Sequence, residues 1–94
     1  MDNFYTAEFT LSAAKEFKLL PENIRGKTLE VIHFLSVNPY SEFLKVKKIK
    51  GHNSLYRIRI SDYRLVYEVK NKTLLIIVIK IGHRKEVYQK LKRS

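Results

Sequence analysis

The first half of this chain combines a short alternating segment with two stretches of helical period. Residues 4–9 alternate between apolar and polar positions and predict a first strand. Thr10 can cap a short helix after it, and Pro21 suits the first turn of a second helix that runs to about Val37. The connection between the helices is very short, which favours an antiparallel pair.

The second half changes to the alternating period of β-strands. Residues 45–50 have no clear period and indicate an irregular basic segment. Three strands are predicted at residues 56–60, 63–70 and 73–81, with turns at Ser61-Asp62 and Asn71-Lys72. Gly82 is expected to end the last strand, and residues 84–91 predict one or two turns of a terminal helix.

The order β-α-α-β-β-β predicts an α+β fold. We expect an antiparallel sheet of about four strands, two N-terminal helices packed on one face, and a short C-terminal helix. The 94 residues suffice for a single domain, 1–94, and are too few for two.

The turn after Ile60 brings arginines face to face. A two-residue turn places Ile60 opposite Tyr63 and Arg59 opposite Arg64, with Arg57 on the same face two residues away. Like charges directly opposite each other destabilise a hairpin by roughly a few tenths of a kcal/mol or more. We therefore expect an anionic ligand to bind this face.

Positive charge is concentrated in one half of the chain. Residues 1–44 hold four Lys and Arg against six acidic residues, a net charge of −2, whereas residues 45–94 hold fifteen against three, a net charge of +12. Clustered Lys and Arg favour a polyanion through phosphate neutralisation and counterion release. A nucleic acid is the favoured partner, although an acidic protein could bind the same surface.

Composition also restricts the expected cellular location and the kinds of chemical site. The chain has no cysteine, which excludes disulfides and cysteine-ligated zinc. Its longest apolar stretch, residues 74–79, is too short to span a bilayer, and the N-terminal residues lack the pattern of a secretory signal. We expect a cytoplasmic protein without a membrane partner. Three scattered histidines and few acids predict no metal site and no cofactor.

The basic face suits the cleavage of RNA by its own 2′-hydroxyl. Charge builds on the phosphoryl oxygens as the hydroxyl attacks the adjacent phosphate, and arginines stabilise that charge bidentately. Arginine stays protonated and is a poor base. The groups near this face that could move protons are His83, His52, Tyr88 and Lys50.

Arg84 and Tyr88 extend the pattern beyond the last strand. If a helix begins at Arg84, the spacing of four residues places the guanidinium and the phenol on one helix face. Arginine is unfavourable at a helix N-terminus, where the dipole is positive, and this favours an anion contact for Arg84. Tyr88 fits an aromatic anchor for the tail as well as it fits a site residue.

Three motifs, taken in their order and spacing, resemble a known family. They are Lys48-Ile49-Lys50-Gly51, the hairpin from Tyr56-Arg57-Ile58-Arg59 to Asp62-Tyr63-Arg64-Leu65-Val66-Tyr67, and Gly82-His83-Arg84-Lys85-Glu86-Val87-Tyr88. With the β-α-α start, they make the chain similar to the RelE branch of the RelE/ParE toxin superfamily. The resemblance implies the toxin of a toxin–antitoxin pair, which enters the ribosomal A site and cuts mRNA there without metal. It also implies an antitoxin, expected to be acidic, that covers the basic face.

The resemblance implies catalytic roles for four residues. Arg64 and Arg84 match the arginines that contact and stabilise the scissile phosphate, and Tyr88 matches the tyrosine that helps to orient the RNA. Arg59 lies on the strand where the best-known RelE member has lysines, one of them assigned to proton transfer. Arginine at this position implies phosphate stabilisation rather than base catalysis.

Further residues are implied in RNA binding and proton transfer. Arg57 also occupies a lysine position of that member, and Lys50 matches a basic residue that helps to bind ribosomal RNA. Lys48 completes the predicted RNA-binding set. Our hypothesis is that His83, or a group of the RNA or of the ribosome, takes part in proton transfer.

Two other functions stay open at this point. A ParE-like gyrase poison would share the fold and charge but would act on a complex of protein and DNA without cutting RNA. A non-catalytic RNA- or ribosome-binding module would need the basic face but not Tyr88. The arginine-rich hairpin and the tail from His83 to Tyr88 favour the RelE branch.

Overall fold

The computed structural model describes residues 4–83 and Lys85. Along them the chain forms β1 (Thr6–Phe9), α1 (Leu11–Lys18), α2 (Glu22–Val37), β2 (Lys47–Lys48), β3 (Leu55–Ile60), β4 (Tyr63–Lys70) and β5 (Leu75–His83). Thr10 caps α1 as predicted, because its side chain accepts a hydrogen bond from the Ala13 N–H over 3.1 Å. The C-terminal helix predicted from the sequence lies outside the described residues.

The five strands of the described chain form one sheet in the order β1-β5-β4-β3-β2. Neighbouring strands run antiparallel except β1 and β5, which pair in parallel with Thr6 opposite Leu75. The predicted α+β fold is confirmed, but the sheet has five strands rather than about four. The additional strand is β2, whose two residues pair with the edge of β3 and are too few to show a period in the sequence.

The hairpin of β3 and β4 has the register that its turn predicts. Ile60 lies opposite Tyr63 and Arg59 opposite Arg64. Ser61, the first residue of the turn, has a φ of 58°, in the left-handed region that favours glycine. Because side chains alternate along a strand, this register fixes which residues of the hairpin share a face.

The hydrophobic core lies between the helices and one face of the sheet. The strands contribute Ile58, Ile60, Leu65, Tyr67, Ile76 and Val78, and the helices contribute Ala13, Ile24, Ile32 and Leu35. Each of these side chains is at most 9% exposed. Both helices therefore pack on this face, and the odd-numbered positions of β3 are turned to the other one.

The last strand continues through Gly82, so the prediction that Gly82 ends it is wrong. Gly82 pairs with Arg64, and His83 pairs with Tyr63. A glycine opposite Arg64 keeps the backbone ladder intact and adds no side chain to that face of the sheet.

A β-bulge in β5 is held by side chains from the first helix. Val66 lies opposite Lys80 while Tyr67 lies opposite Val78, so one extra residue of β5 stands between the two pairs. Glu16 of α1 accepts from the Ile81 N–H over 3.1 Å and from Lys80 Nζ over 2.9 Å. The first helix thereby fixes the part of β5 that leads to Gly82.

Candidate functional site

A depression of about 220 Å³ lies on the sheet face opposite the helices. Its charged lining consists of Lys45, Lys47, Arg57, Arg59 and Arg64, and its one uncharged lining residue is Ile58. We call it the basic depression. Among the described residues no carboxylate lines it, so its field attracts anions.

The strand register brings the cations of the basic depression together. Arg59 lies directly opposite Arg64, and Lys47 of β2 lies directly opposite Arg57. Like charges at directly opposed positions destabilise a sheet by roughly 0.2–1 kcal/mol per pair. A bound phosphate would offset that cost, because it replaces repulsion between the cations with attraction to a shared anion.

Two of the arginines are fixed by bonds to nearby carbonyl groups. Arg59 Nε donates to the Ser61 carbonyl over 3.0 Å, and Arg64 Nη1 donates to the Tyr63 carbonyl over 3.2 Å. Such bonds restrict the side-chain rotamers before a ligand arrives. Binding then loses less conformational entropy.

A buried apolar residue lies beside Arg57 of the basic depression. Val66 lies directly opposite Arg57 and is 1% exposed, although it is not part of the core on the helix side. Arg57 therefore lies next to a side chain that water does not reach. A charge in such surroundings interacts more strongly with an anion than a charge surrounded by solvent. Lys80, on the other side of Val66, is paired with Glu16 and is therefore locally neutralised.

Three residues predicted as part of the site are not brought into the basic depression. Lys48 lies opposite Tyr56, so alternation turns it away from Lys47, and Lys50 is exposed in the turn after β2. His83 pairs with Tyr63, and the centroids of the two rings are 5.8 Å apart. Alternation places this ring pair on the face opposite Arg64. The functional roles predicted for these residues stay predictions.

Arg84 and Tyr88, predicted as catalytic residues, lie outside the described residues. The structure does describe β5, the strand that leads toward these two residues. Gly82 is opposite Arg64, so the strand that leads to position 84 passes directly beside the basic depression.

Lys45 and Lys47 are members of the basic depression that the sequence did not single out. The strand that carries Lys47 is two residues long, and Lys45 has a φ of 56° in a turn just before it. The only signal in the sequence was their place in the basic half of the chain, which does not separate them from Lys48 or Lys50.

Two findings concern metal ions and membranes. Nowhere in residues 4–83 do three or more His, Asp or Glu side chains gather in a way that could hold a metal ion. In the same part of the chain, neither helix has the length and apolar character needed to cross a membrane.

The fold and the basic depression together define a small α+β domain with a basic sheet face. A model of the family described as "ParE toxin of type II toxin-antitoxin system, parDE" matches residues 7–88. The putative toxin RelE1 of Methanocaldococcus jannaschii is 33% identical over 86 residues, which cover 90% of this chain and 96% of that protein. The mRNA interferase toxin RelE of Escherichia coli K12 is 32% identical over 92 residues, which cover 89% and 90% of the two chains.

Solved structures of RelE proteins are also similar to this chain. The crystal structure of the archaeal RelE–RelB complex from Pyrococcus horikoshii OT3 matches with a TM-score of 0.76 and 30% identity, over 86% of this chain and 96% of the other. The chain belongs to the RelE branch of the RelE/ParE toxin superfamily of type II toxin–antitoxin systems.

Proposed function

We propose that this protein is a cytoplasmic toxin that cuts mRNA in the ribosomal A site and so stops translation. The observation that carries the proposal is the basic depression, in which three arginines and two lysines surround a space without a carboxylate among the described residues. The relative from Escherichia coli, named an mRNA interferase toxin, supports RNA as the substrate. Growth arrest is the expected consequence in the cell.

The proposed reaction needs no metal ion. The 2′-oxygen of the nucleotide before the cut attacks the phosphorus, the bond to the 5′-oxygen breaks, and a 2′,3′-cyclic phosphate remains. Arg59 and Arg64 stabilise the charge that builds on the phosphoryl oxygens, and Arg57 holds the RNA backbone. Arg84 and Tyr88 are proposed to complete the contacts to the scissile nucleotide, as the resemblance implies.

Proton transfer is the step with the least support from the geometry. The 2′-hydroxyl must lose a proton and the leaving 5′-oxygen must gain one, and arginine is a poor base. His83 is the proposed group, although it pairs with Tyr63 on the other face of the sheet. Its role requires that the scissile nucleotide reaches around the end of β5. A pH–rate profile that is unchanged in His83→Ala would exclude it.

The proposed protein partner is an antitoxin. The relative from Pyrococcus horikoshii was crystallised as a RelE–RelB complex, which supports such a partner here. An acidic segment of the antitoxin would neutralise the basic depression, and bound antitoxin and bound RNA would then exclude each other.

Cleavage of mRNA on programmed ribosomes tests the proposal. Arg64→Ala is expected to slow cutting by about 10²-fold, because it removes one preorganised donor to the developing charge. Lys72→Ala is the matched control, since it removes the same charge from an exposed turn at the other end of the sheet and should cut at the wild-type rate. Equal rates for Arg64→Ala and the wild type would contradict the proposed site.

The same assay separates the competing functions. An mRNA with a 2′-deoxy nucleotide before the scissile phosphate should resist cutting, because its attacking group is missing. The ParE-like alternative is included because the description of the matching family model names a ParE toxin. It predicts intact mRNA together with inhibition of DNA supercoiling by gyrase. A non-catalytic ribosome-binding module would bind the ribosome and do neither.

A further inference from the structure

A second depression, of about 320 Å³, lies between α2 and the end of β3. Its apolar lining consists of Val31 and Phe34 of α2, Leu44 of the loop that follows, and Ile60 of β3. Phe34 is 51% exposed, so an aromatic ring is accessible at its wall. We call this depression the α2–β3 groove.

The α2–β3 groove and the basic depression share a lining residue. Arg59 lines both of them, and the neighbouring positions Ile58 and Ile60 line one each. A nucleotide with its phosphate in the basic depression could therefore extend its base past Arg59 into the groove. The volume is near the lower end of the roughly 300–1,000 Å³ typical of small-molecule sites, which suits one base better than a long peptide.

In the part of the chain that the structure describes, the strand β3 extends past the end of its partner strand β2 beside the groove. The Leu55 carbonyl accepts from the Ile49 N–H, so by alternation the backbone polar groups of Leu55, Arg57 and Arg59 point to the β2 side. The partner strand ends opposite Arg57, because Lys45 turns out of the ladder with a φ of 56°. Among the described residues, no strand continues opposite Arg59, so the polar edge of a base could pair with the N–H and C=O of Arg59 there.

Charge favours a neutral group in the α2–β3 groove. Its rim carries one lysine, Lys27, and one glutamate, Glu30, both exposed on the same face of α2. These two charges offset each other, which leaves Arg59, shared with the basic depression, as the one unbalanced charge among the described lining residues. An acidic peptide would find a single cation to pair with here, whereas a nucleobase is uncharged and has an apolar face.

We propose that the α2–β3 groove binds the base of a nucleotide next to the scissile phosphate, with its face against Phe34. The proposal rests on the proposed cleavage of RNA. It makes Phe34 a specificity-determining residue: cutting is fastest where the flanking base can leave its stack and enter the groove. Stacking of a base on an aromatic side chain is sequence-tolerant, so the preference is graded rather than absolute.

The test measures whether the effect of removing the flanking base on the cutting rate depends on the Phe34 ring. Programmed ribosomes carry mRNAs with an abasic nucleotide on one or the other side of the scissile phosphate, and the cutting rates of wild type and Phe34→Ala are compared. With the wild type, loss of the base at one of the two positions should slow cutting about tenfold. Phe34→Ala should cut the intact mRNA about tenfold more slowly and lose no further rate on the abasic mRNA, because the interaction is already absent.

Matched variants exclude general effects of losing a phenylalanine. Phe43→Ala removes a ring that is 90% exposed and does not line the groove, and it should behave as the wild type does. Phe34→Leu keeps apolar bulk while removing the ring, and it replaces Phe34→Ala if the alanine variant does not fold. It should show the same loss of coupling to the base.

The outcomes separate this proposal from the proposed function. No cutting of any mRNA by the wild type would overturn the proposed function, and this proposal with it. Cutting by the wild type with an equal abasic effect in both proteins would overturn the groove proposal alone. Unchanged cutting by Phe34→Ala, together with weaker binding of the antitoxin, would assign the groove to the protein partner and would also overturn it.

Discussion

Tyr67 is a buried side chain whose ionisation should lower the stability of the fold at alkaline pH. Its hydroxyl donates to the Pro39 carbonyl over 2.6 Å and ties the loop after α2 to the sheet. Burial raises the pKa of this hydroxyl above its ordinary value of 10.0, with smaller contributions from Tyr56 and Tyr40. The folded protein therefore keeps the proton at a pH where the unfolded chain releases it.

Because the folded pKa of Tyr67 is the higher one, this stabilisation is complete below about pH 10 and is lost as the pH rises further. The free energy of unfolding should fall by about 1.4 kcal/mol per pH unit above pH 10, as measured by urea denaturation. Tyr67→Phe should lack this part of the slope. At neutral pH it should be less stable by about 1–2 kcal/mol, because the Pro39 carbonyl loses its donor. The same alkaline slope in both proteins would contradict the assignment.

At the scale of the elements, an ion pair with α1 stabilises the position of β5 in the sheet. Lys80 and Glu16 are 2.9 Å apart with side chains only 18% and 21% exposed, whereas Lys70 and Glu68 are 4.0 Å apart and more exposed. Lys80→Gln should lower the free energy of unfolding by about 1–2 kcal/mol, since it removes a cation that lies 2.9 Å from a largely buried carboxylate. Lys70→Gln, the matched control, should change it by about 0.5 kcal/mol or less. Equal losses in a denaturation series would show that burial of the Lys80 pair has no effect.

The elements differ in how far the sequence predicts them. The register of β3 and β4 follows from a two-residue turn and strict alternation, both of which are local, and it is confirmed. The pairing of β1 with β5 and the short β2 depend on contacts between distant segments, which leave no local period. For the same reason the three hairpin arginines of the basic depression were found from the sequence, while Lys45 and Lys47 were not. Their position depends on where a loop meets the edge of the sheet.

The whole molecule carries a net charge of +10, and its stability should respond to anions that enter the basic depression. Phosphate should raise the free energy of unfolding by about 1.4 kcal/mol at ten times its dissociation constant, beyond the effect of chloride at equal ionic strength. Arg59→Gln removes one of the two directly opposed arginines, and it should lose most of this difference. Thermal unfolding in matched phosphate and chloride buffers measures both. An equal phosphate effect in the two proteins would show that the anion acts on the general surface instead.

The parallel pairing of the first and last described strands determines when the sheet can close during synthesis of the chain. β5 lies between β1 and β4, so a nascent chain that has not yet released β5 has neither a finished sheet nor a closed core. A product truncated before β5 would leave β1 unpaired and would expose an open edge of β4, and quality-control proteases remove such chains. A stop codon upstream of the codons for β5 would therefore abolish the protein rather than leave a partly active fragment.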